Sequence, residues 1–294
     1  MLSSIEVRSY AKINWTLDVL HKREDGYHEL RTIYQTVSLH DTISVTETAG
    51  PIDIICDDSR VPCDDTNLAF RAVGALREAL GIVNGARIEI NKRIPVAAGL
   101  GGGSSNAAAT LLAVGKLWQI DIGYGELVKI AASLGSDVPF FLIGGTALGI
   151  GRGEEVYPIE QVNSEHLLLV NPGFAVSTPE AYARLSRLTR PKAALNIHFT
   201  LLAAKGISDL PLVATNDLEE VVIATHQEIA EVKRRLVSLG ARHALMSGSG
   251  ATVFGVFDNL QTTERAASML HAAGYWAQRA RTVDAREYQA TIFQ

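Results

Sequence analysis

The stretch IPVAAGLGGGSSNAAATLLAV, residues 94–114, decides how the rest of the chain is read. Gly99, Gly101, Gly102 and Gly103 remove side chains, so backbone amides there can approach a ligand closely and adopt positive φ. Ser104 and Ser105 are good N-cap residues, and the alanine-rich run behind them predicts a helix from about Ser104 to Trp118. A glycine loop feeding a helix N-terminus offers free amides and the positive end of the helix dipole, which attract anions and phosphate above all. Familiar phosphate templates do not fit. A Walker loop needs Lys after its last glycine, where this chain has Ser104. A G-x-G-x-x-G match fails in both registers, because the third positions are Ser104 and Asn106. A flexible strand-to-helix connection is the plainer reading. It sits poorly with a proline, four glycines, two capping serines and a small-residue helix in one run.

Around this segment, 294 residues suggest two domains or one large one, at roughly 150 residues per domain. Upstream, IEVRSYAKINWTLDVL, Tyr34–Leu39, Thr42–Thr46 and Ile52–Cys56 are rich in Val, Ile and Thr and read as strands. Asn67 caps a helix whose face is Leu68, Ala72, Ala75, Leu76 and Leu80, closed by Gly81. Ala86–Asn91 alternates as a strand, Tyr124–Leu134 is helical, and Thr146–Ile150 with Glu155–Ile159 forms a strand pair around GRGEE. From His166 the order is strand (166–170), helix (178–188), a long amphipathic helix (218–239, ended by Gly240), strands at 243–246 and 252–257, helix (262–273) and strand (275–283). Residues 189–211 read as irregular with one short helix. Taken as β-α-β-β-α-β, this half is ferredoxin-like, so the chain is cut near residue 160 into domains 1–160 and 161–294. The fold class is α+β.

Composition narrows the partners. Lys plus Arg is 27 against 32 Asp plus Glu, a net charge of −5 with no global basic footprint for nucleic acid or anionic membrane. With 47% hydrophobic and 20% charged residues, wholesale disorder is excluded. Cys56 and Cys63 lack CxxC spacing and a nearby histidine pair, which fits free thiols in a reducing compartment. The most apolar window, Val138–Ile150, is short and broken by Gly144, Gly145 and Gly149, and MLSSIEVRSYAK has no signal-peptide core. A soluble, cytoplasmic protein, monomer or homodimer, is expected.

The loop PVAAGLGGGSSNAA resembles the nucleotide loop of the GHMP kinases. AKINWTLDVL resembles the first motif of that superfamily and MSGSGATVFGVF, Met246–Phe257, its third. REDGYHELRTIYQTV (residues 23–37) and LGSDVPFFL (residues 134–142) are similar to one branch, whose acceptor is cytidine diphospho-methylerythritol of non-mevalonate isoprenoid precursor synthesis. The resemblance runs through nearly the whole chain, in order. It implies a small-molecule kinase with an N-terminal ATP-binding mixed α/β domain, a C-terminal ferredoxin-like domain and the active site in the cleft between them. It implies ATP as donor, magnesium as cofactor and the acceptor's 2-hydroxyl as the group phosphorylated. Another GHMP kinase is the nearest alternative, and a catalytically silent nucleotide-binding relative is the other.

The same resemblance assigns roles. Asp137, in GSDVP, would be the general base, although an Asp after Gly-Ser alone reads as a cap or turn residue. Lys12 would lie beside Asp137 and the transferred phosphate, where composition alone suggests an edge-strand guard or a polar strand face. Asn14, two residues on, leaves the same strand face and becomes a substrate contact. Tyr27 and His28 would meet cytosine, with Tyr182 as the opposite face of the sandwich and Thr178 a nearby polar contact. Pro95, Val96, Ala97, Ala98 and Leu100 join Gly99, Gly101–Gly103, Ser104 and Ser105 as the ATP loop. Asn67 is either only a helix cap or a contact to adenine. Gly248, Ser249 and Gly250 either approach phosphates or substrate or simply close a hairpin. Ser105, with the ATP phosphates, is the expected metal contact.

Overall fold

A long hairpin forms the spine of the molecule: β1 (Ser4–Lys22) pairs antiparallel with β2 (His28–Thr48), and Gly26 turns the corner at φ +88°. The computed structural model describes residues 4–185 and 210–293. The expected strands 34–39 and 42–46 are one strand, because β2 stays paired across a register shift between Tyr10 and Ala11. A bulge of this kind bends a strand without ending it.

β3 (Asp53–Cys56) and β4 (Gly85–Asn91) extend the sheet beyond β2, while β5 (Thr146–Gly151) pairs with β2 and with β6 (Glu155–Pro158). Helices α1 (Leu68–Leu80), α2 (Gly102–Leu117) and α3 (Tyr124–Leu134) pack with this sheet in a core that includes Val73, Leu76, Ile88, Leu111 and Val114. Asn67 caps α1 by accepting from the Ala69 amide, and Gly81 closes it in the left-handed conformation that glycine tolerates.

The second sheet, in the order β11-β7-β10-β9, comprises β7 (Leu167–Asn171), β9 (His243–Met246), β10 (Val253–Val256) and β11 (Trp276–Ala280). All its pairings are antiparallel, and its strand order is that of the ferredoxin-like arrangement. Its helices are α4 (Thr178–Leu185), α5 (Leu210–Val213), α6 (Asp217–Ile223), α7 (Gln227–Ser238) and α8 (Leu260–Ala272). All five β7 residues are buried, because both faces are covered. Leu168 and Val170 meet the helices, whereas Leu167, Leu169 and Phe254 join Ile13, Trp15, Ile33 and Leu100 between the sheets. Trp15 and Phe254 meet edge-on, their centroids 5.4 Å apart.

The expected single helix 218–239 is two helices. Thr225 bonds back to the Val222 carbonyl and touches the His226 ring, and such local bonding competes with helix continuation. The expected cut near residue 160 falls between β6 and β7. Nonetheless β8 (Thr215–Asn216) pairs parallel with β1, and α9 (Ala285–Thr291) returns to the first sheet's side of the molecule, where the Arg8 amide donates to the Ile292 carbonyl at 2.8 Å. The 189–209 part of the irregular segment and the expected helical residues 186–188 lie outside the described residues.

Candidate active site

Strand alternation brings Lys12 and Asn14 to one face of β1, and Lys12 donates to Asn14 Oδ1 at 2.7 Å. Asn14 in turn donates to Thr32 Oγ1 at 2.7 Å, so the amide is fixed from both ends. The Lys12 amide bonds the Leu100 carbonyl at 3.0 Å, which seats β1 directly beneath the glycine loop. Asp137 lies in the turn after α3, just before the 3-10 turn Pro139–Leu142. Its Oδ2 is 3.4 Å from Lys12 Nζ, with the lysine side chain 5% and the aspartate side chain 30% exposed. The ammonium is thus buried while the carboxylate reaches the cavity. Tyr34 donates to the other oxygen, Oδ1, at 2.9 Å.

This pair opens into a cavity of about 1010 Å³, at the upper end of the size range of small-molecule sites. Pro95, Val96, Ala97, Ala98, Gly99 and Gly101 line one part of it, and Gly102, Gly103 and Ser104 continue the wall. α2 starts two residues earlier than expected: Gly101 is its N-cap, and the Ser105 amide already bonds the Gly101 carbonyl at 2.8 Å. This corrects two site residues. Ser105 is 1% exposed and is bonded by Ser9 at 2.8 Å, so it faces β1 and cannot be the metal contact. Ser104 lines the cavity in its place. Leu100 is 1% exposed, its side chain belongs to the core, and its carbonyl accepts from the Lys12 amide.

The glycines divide by purpose. A Cβ on Gly99 (φ +76°) would lie 2.2 Å from the Ser247 carbonyl oxygen, and one on Gly101 (φ +69°) 2.9 Å from both Lys12 Cγ and the Phe141 ring. Their bareness is required by the protein itself. Gly103 is exposed, with only Leu68 Cδ1 at 3.9 Å, so a side chain there would meet the cavity. No acidic residue occupies the first turn of α2, leaving its amides and dipole uncompensated.

Beyond Gly103 the wall comprises Val61, Pro62, Thr66 and Leu68. Asn67 also lines it, but its oxygen is occupied by the Ala69 amide and its nitrogen donates to the Pro62 carbonyl at 2.7 Å. It acts as the cap of α1 and as the tether of Pro62. At the opposite end lie Tyr27, His28, Thr178 and Tyr182. Within this end Tyr182 stacks on His28, centroids 5.3 Å apart and planes 23° from parallel. Tyr27, at the hairpin turn, is 54% exposed, and the Arg152 guanidinium lies 4.8 Å over its ring. Burial, then the charge of Asp137, pushes the Tyr182 hydroxyl far above its ordinary ionisation range. Burial, with Lys22 and His21 nearby, holds His28 below the ordinary histidine value of 6.5.

Gly248 (φ +56°) packs so closely that a Cβ would be 3.3 Å from Lys12 Nζ. Ser249 bonds Thr178 at 2.7 Å, linking the 246–250 turn to α4, and Gly250 supports that turn by donating to the Ser247 carbonyl. Several contributors escape sequence reading. Asn216 holds the turn through the Met246 and Gly248 carbonyls, at 2.8 and 2.7 Å. Buried Asp41 gathers the Lys92 ammonium, the Arg93 and Ile94 amides and the Asn106 side chain under the loop. Tyr34 and Arg152 also line the cavity. All depend on strand register or long-range packing, which no local motif announces. Among the described residues no group of three or more His, Cys, Asp or Glu could hold a metal ion, and no helix is long and apolar enough to cross a membrane.

Comparison with known proteins agrees with this architecture. Residues 67–145 match the family model of the GHMP kinases N terminal domain, and residues 200–275 that of the GHMP kinases C terminal. The 4-diphosphocytidyl-2-C-methyl-D-erythritol kinase of Syntrophus aciditrophicus is 42% identical over 93% of this chain and 97% of its own length. That of Geobacter sulfurreducens is 41% identical over 96% of this chain and 100% of its own. A solved 4-(cytidine 5'-diphospho)-2C-methyl-D-erythritol kinase superposes with a TM-score of 0.77 at 35% identity, covering 95% of this chain and 100% of that one. Homoserine kinase from Cytophaga hutchinsonii shares the fold, with a TM-score of 0.76 at 18% identity over 97% of this chain and 96% of that one. With such identity sustained from end to end, the chain belongs to the 4-diphosphocytidyl-2-C-methyl-D-erythritol kinase family of GHMP kinases.

Proposed function

We propose that the chain transfers the γ-phosphoryl group of ATP to the 2-hydroxyl of 4-diphosphocytidyl-2-C-methyl-D-erythritol, in non-mevalonate isoprenoid precursor synthesis. The observation that carries this reading is the 3.4 Å Lys12–Asp137 pair, set in one cavity between a bare helix N-terminus and a cluster of aromatic rings. The Asp137 carboxylate takes the hydroxyl proton as the acceptor oxygen bonds to the γ-phosphorus. The bond from that phosphorus to the β–γ bridging oxygen breaks, and ADP leaves with its electron pair. Such transfers ask the protein mainly for positioning and charge stabilisation. Lys12 offsets negative charge as it develops, and the α2 amides hold the donor phosphates.

Purine fits against Val61, Pro62 and Leu68, and cytosine against Tyr27, His28 and Tyr182. The half up to about residue 160 therefore binds the donor, and both halves bind the acceptor. Lys22 and Arg152 line the cavity and supply cations for the acceptor's diphosphate. Magnesium characteristically keeps several waters and binds through substrate phosphates and few protein oxygens. The Ser104 hydroxyl and the ATP phosphates would hold it here, neutralising phosphate charge. The retained lysine–aspartate pair speaks against a silent relative, and the aromatic end against a mevalonate or sugar acceptor.

Asp137→Asn keeps shape and loses the base. Its kcat should fall on the order of a hundredfold or more, with the Kd of both substrates, by titration calorimetry, little changed. Wild-type turnover in that variant would refute the assignment of the base.

A further inference from the structure

Lys12 and Asp137 account for the proton and the charge, but the carboxylate has two oxygens and only one faces Lys12. Tyr34 lies directly opposite Asn14 in the β1–β2 register, so its ring rises on the same sheet face as Lys12 and Asn14. The residue is 2% exposed. Its hydroxyl has one hydrogen and two acceptors within reach: Asp137 Oδ1 at 2.9 Å and the Gly153 carbonyl at 3.4 Å. The shorter partner is also the charged one, and bonds to an ionised acceptor are the stronger.

The ring is held on every side. Phe140 stacks on it at 4.9 Å, and the Lys12 ammonium lies 5.6 Å over its face. Two glycines make room for it: a Cβ on Gly149 would sit 2.5 Å from Tyr34 Cε2, and one on Gly153 2.4 Å from its hydroxyl oxygen. The bareness of Gly149 and Gly153 is thereby explained by a tyrosine from another strand. A carboxylate rotates broadly about its last bond unless something fixes it. Burial, reinforced by the Asp137 charge, pushes ionisation of the phenol well above its ordinary value of 10, so it remains a donor and is no base itself.

We infer that Tyr34 is the positioning residue for this reaction, its hydroxyl holding Asp137 Oδ1 so that Oδ2, beside Lys12, is the oxygen that receives the proton. This rests on the proposed role of Asp137 as base.

The test is a double-mutant cycle on the full chain, with ATP and the cytidine acceptor. Tyr34→Phe keeps the ring and removes only the hydroxyl. Misplacement of a catalytic group by about 1 Å can cost on the order of a hundredfold, so kcat should fall roughly ten- to a hundredfold while both KM values hold. In an Asp137→Asn background the same change should alter the residual rate by less than about twofold, because the hydroxyl then has no base to orient. Gly149→Ala, which pushes the ring while keeping the hydroxyl, should reproduce the selective loss of kcat and guards against a poorly folding Tyr34→Phe. Equal proportional losses in both backgrounds, or a loss expressed in the acceptor's KM, would overturn the inference. If the wild type turns over no cytidine acceptor, the proposed reaction falls and this inference with it. A wild type that turns over, with multiplicative effects, overturns this inference alone.

Discussion

Gly103→Ala separates the stability of the glycine loop from its ligand. Gly103 is the second residue of α2, its φ is not positive, and the nearest atom to an added Cβ is Leu68 Cδ1 at 3.9 Å. The methyl therefore fits the folded protein without strain. Replacing glycine by alanine within a helix stabilises it by roughly 0.5–1 kcal/mol. For a chain of this size that amounts to a rise in Tm of about 1–4 °C. On the proposed function, the same methyl stands where the donor phosphates would meet the α2 amides. Losing one hydrogen bond to a charged phosphate costs about 1.5–3 kcal/mol, or roughly ten- to a hundredfold in ATP affinity. Gly99→Ala provides the contrast, since its Cβ would strike the Ser247 carbonyl oxygen at 2.2 Å with φ at +76°. That variant should lose stability outright. Differential scanning calorimetry gives the Tm, and titration calorimetry with ATP gives the affinity. A Gly103→Ala protein that gains stability yet binds ATP as tightly as wild type would remove the phosphates from the N-terminus of α2.

Three further outcomes concern the acceptor end. Tyr27→Ala should weaken acceptor binding by roughly 1–3 kcal/mol, the scale of aromatic–base stacking, with ATP affinity unchanged by calorimetry. The uridine analogue should be a poor acceptor, and His28→Ala should narrow the gap in kcat/KM between the two bases, since a site built for one base leaves groups unpaired against the other. His28 is held below 6.5 first by burial, then by Lys22 and His21, so it is neutral at pH 7 and gains its proton only as pH falls through a value under 6.5. Acceptor KM should accordingly be flat above pH 7 and rise on the acid side; a rise centred above pH 7 would contradict the assignment.

The ferredoxin-like half was legible because its helices and strands carry clean periodicities and glycine stops, as at Gly240 and Gly274. The break at Thr225 was not, because the apolar pattern runs through it and the interruption comes from a side chain bonding locally. α9 did carry a signal: Asp284 caps the Glu287 amide three residues on, the spacing of a capping box. The start of α2 mattered most for the site. At about 100° per residue, beginning at Gly102 and not at Ser104 turns Ser105 into the core toward Ser9. Lys12 and Asp137 are 125 positions apart in sequence, and only the shared match to a family put them together before the fold did. Tyr34 lies inside REDGYHELRTIYQTV, but its part depends on which residue of β1 it faces, and register is set by the whole sheet.

The most direct test is a coupled assay of ADP release with the wild-type chain, offering 4-diphosphocytidyl-2-C-methyl-D-erythritol, mevalonate and galactose separately, with phosphorus NMR of the product. ADP release with the cytidine acceptor alone, and a new phosphate monoester on its 2-hydroxyl, is the predicted result. Release with mevalonate or galactose and none with the cytidine compound would contradict the account.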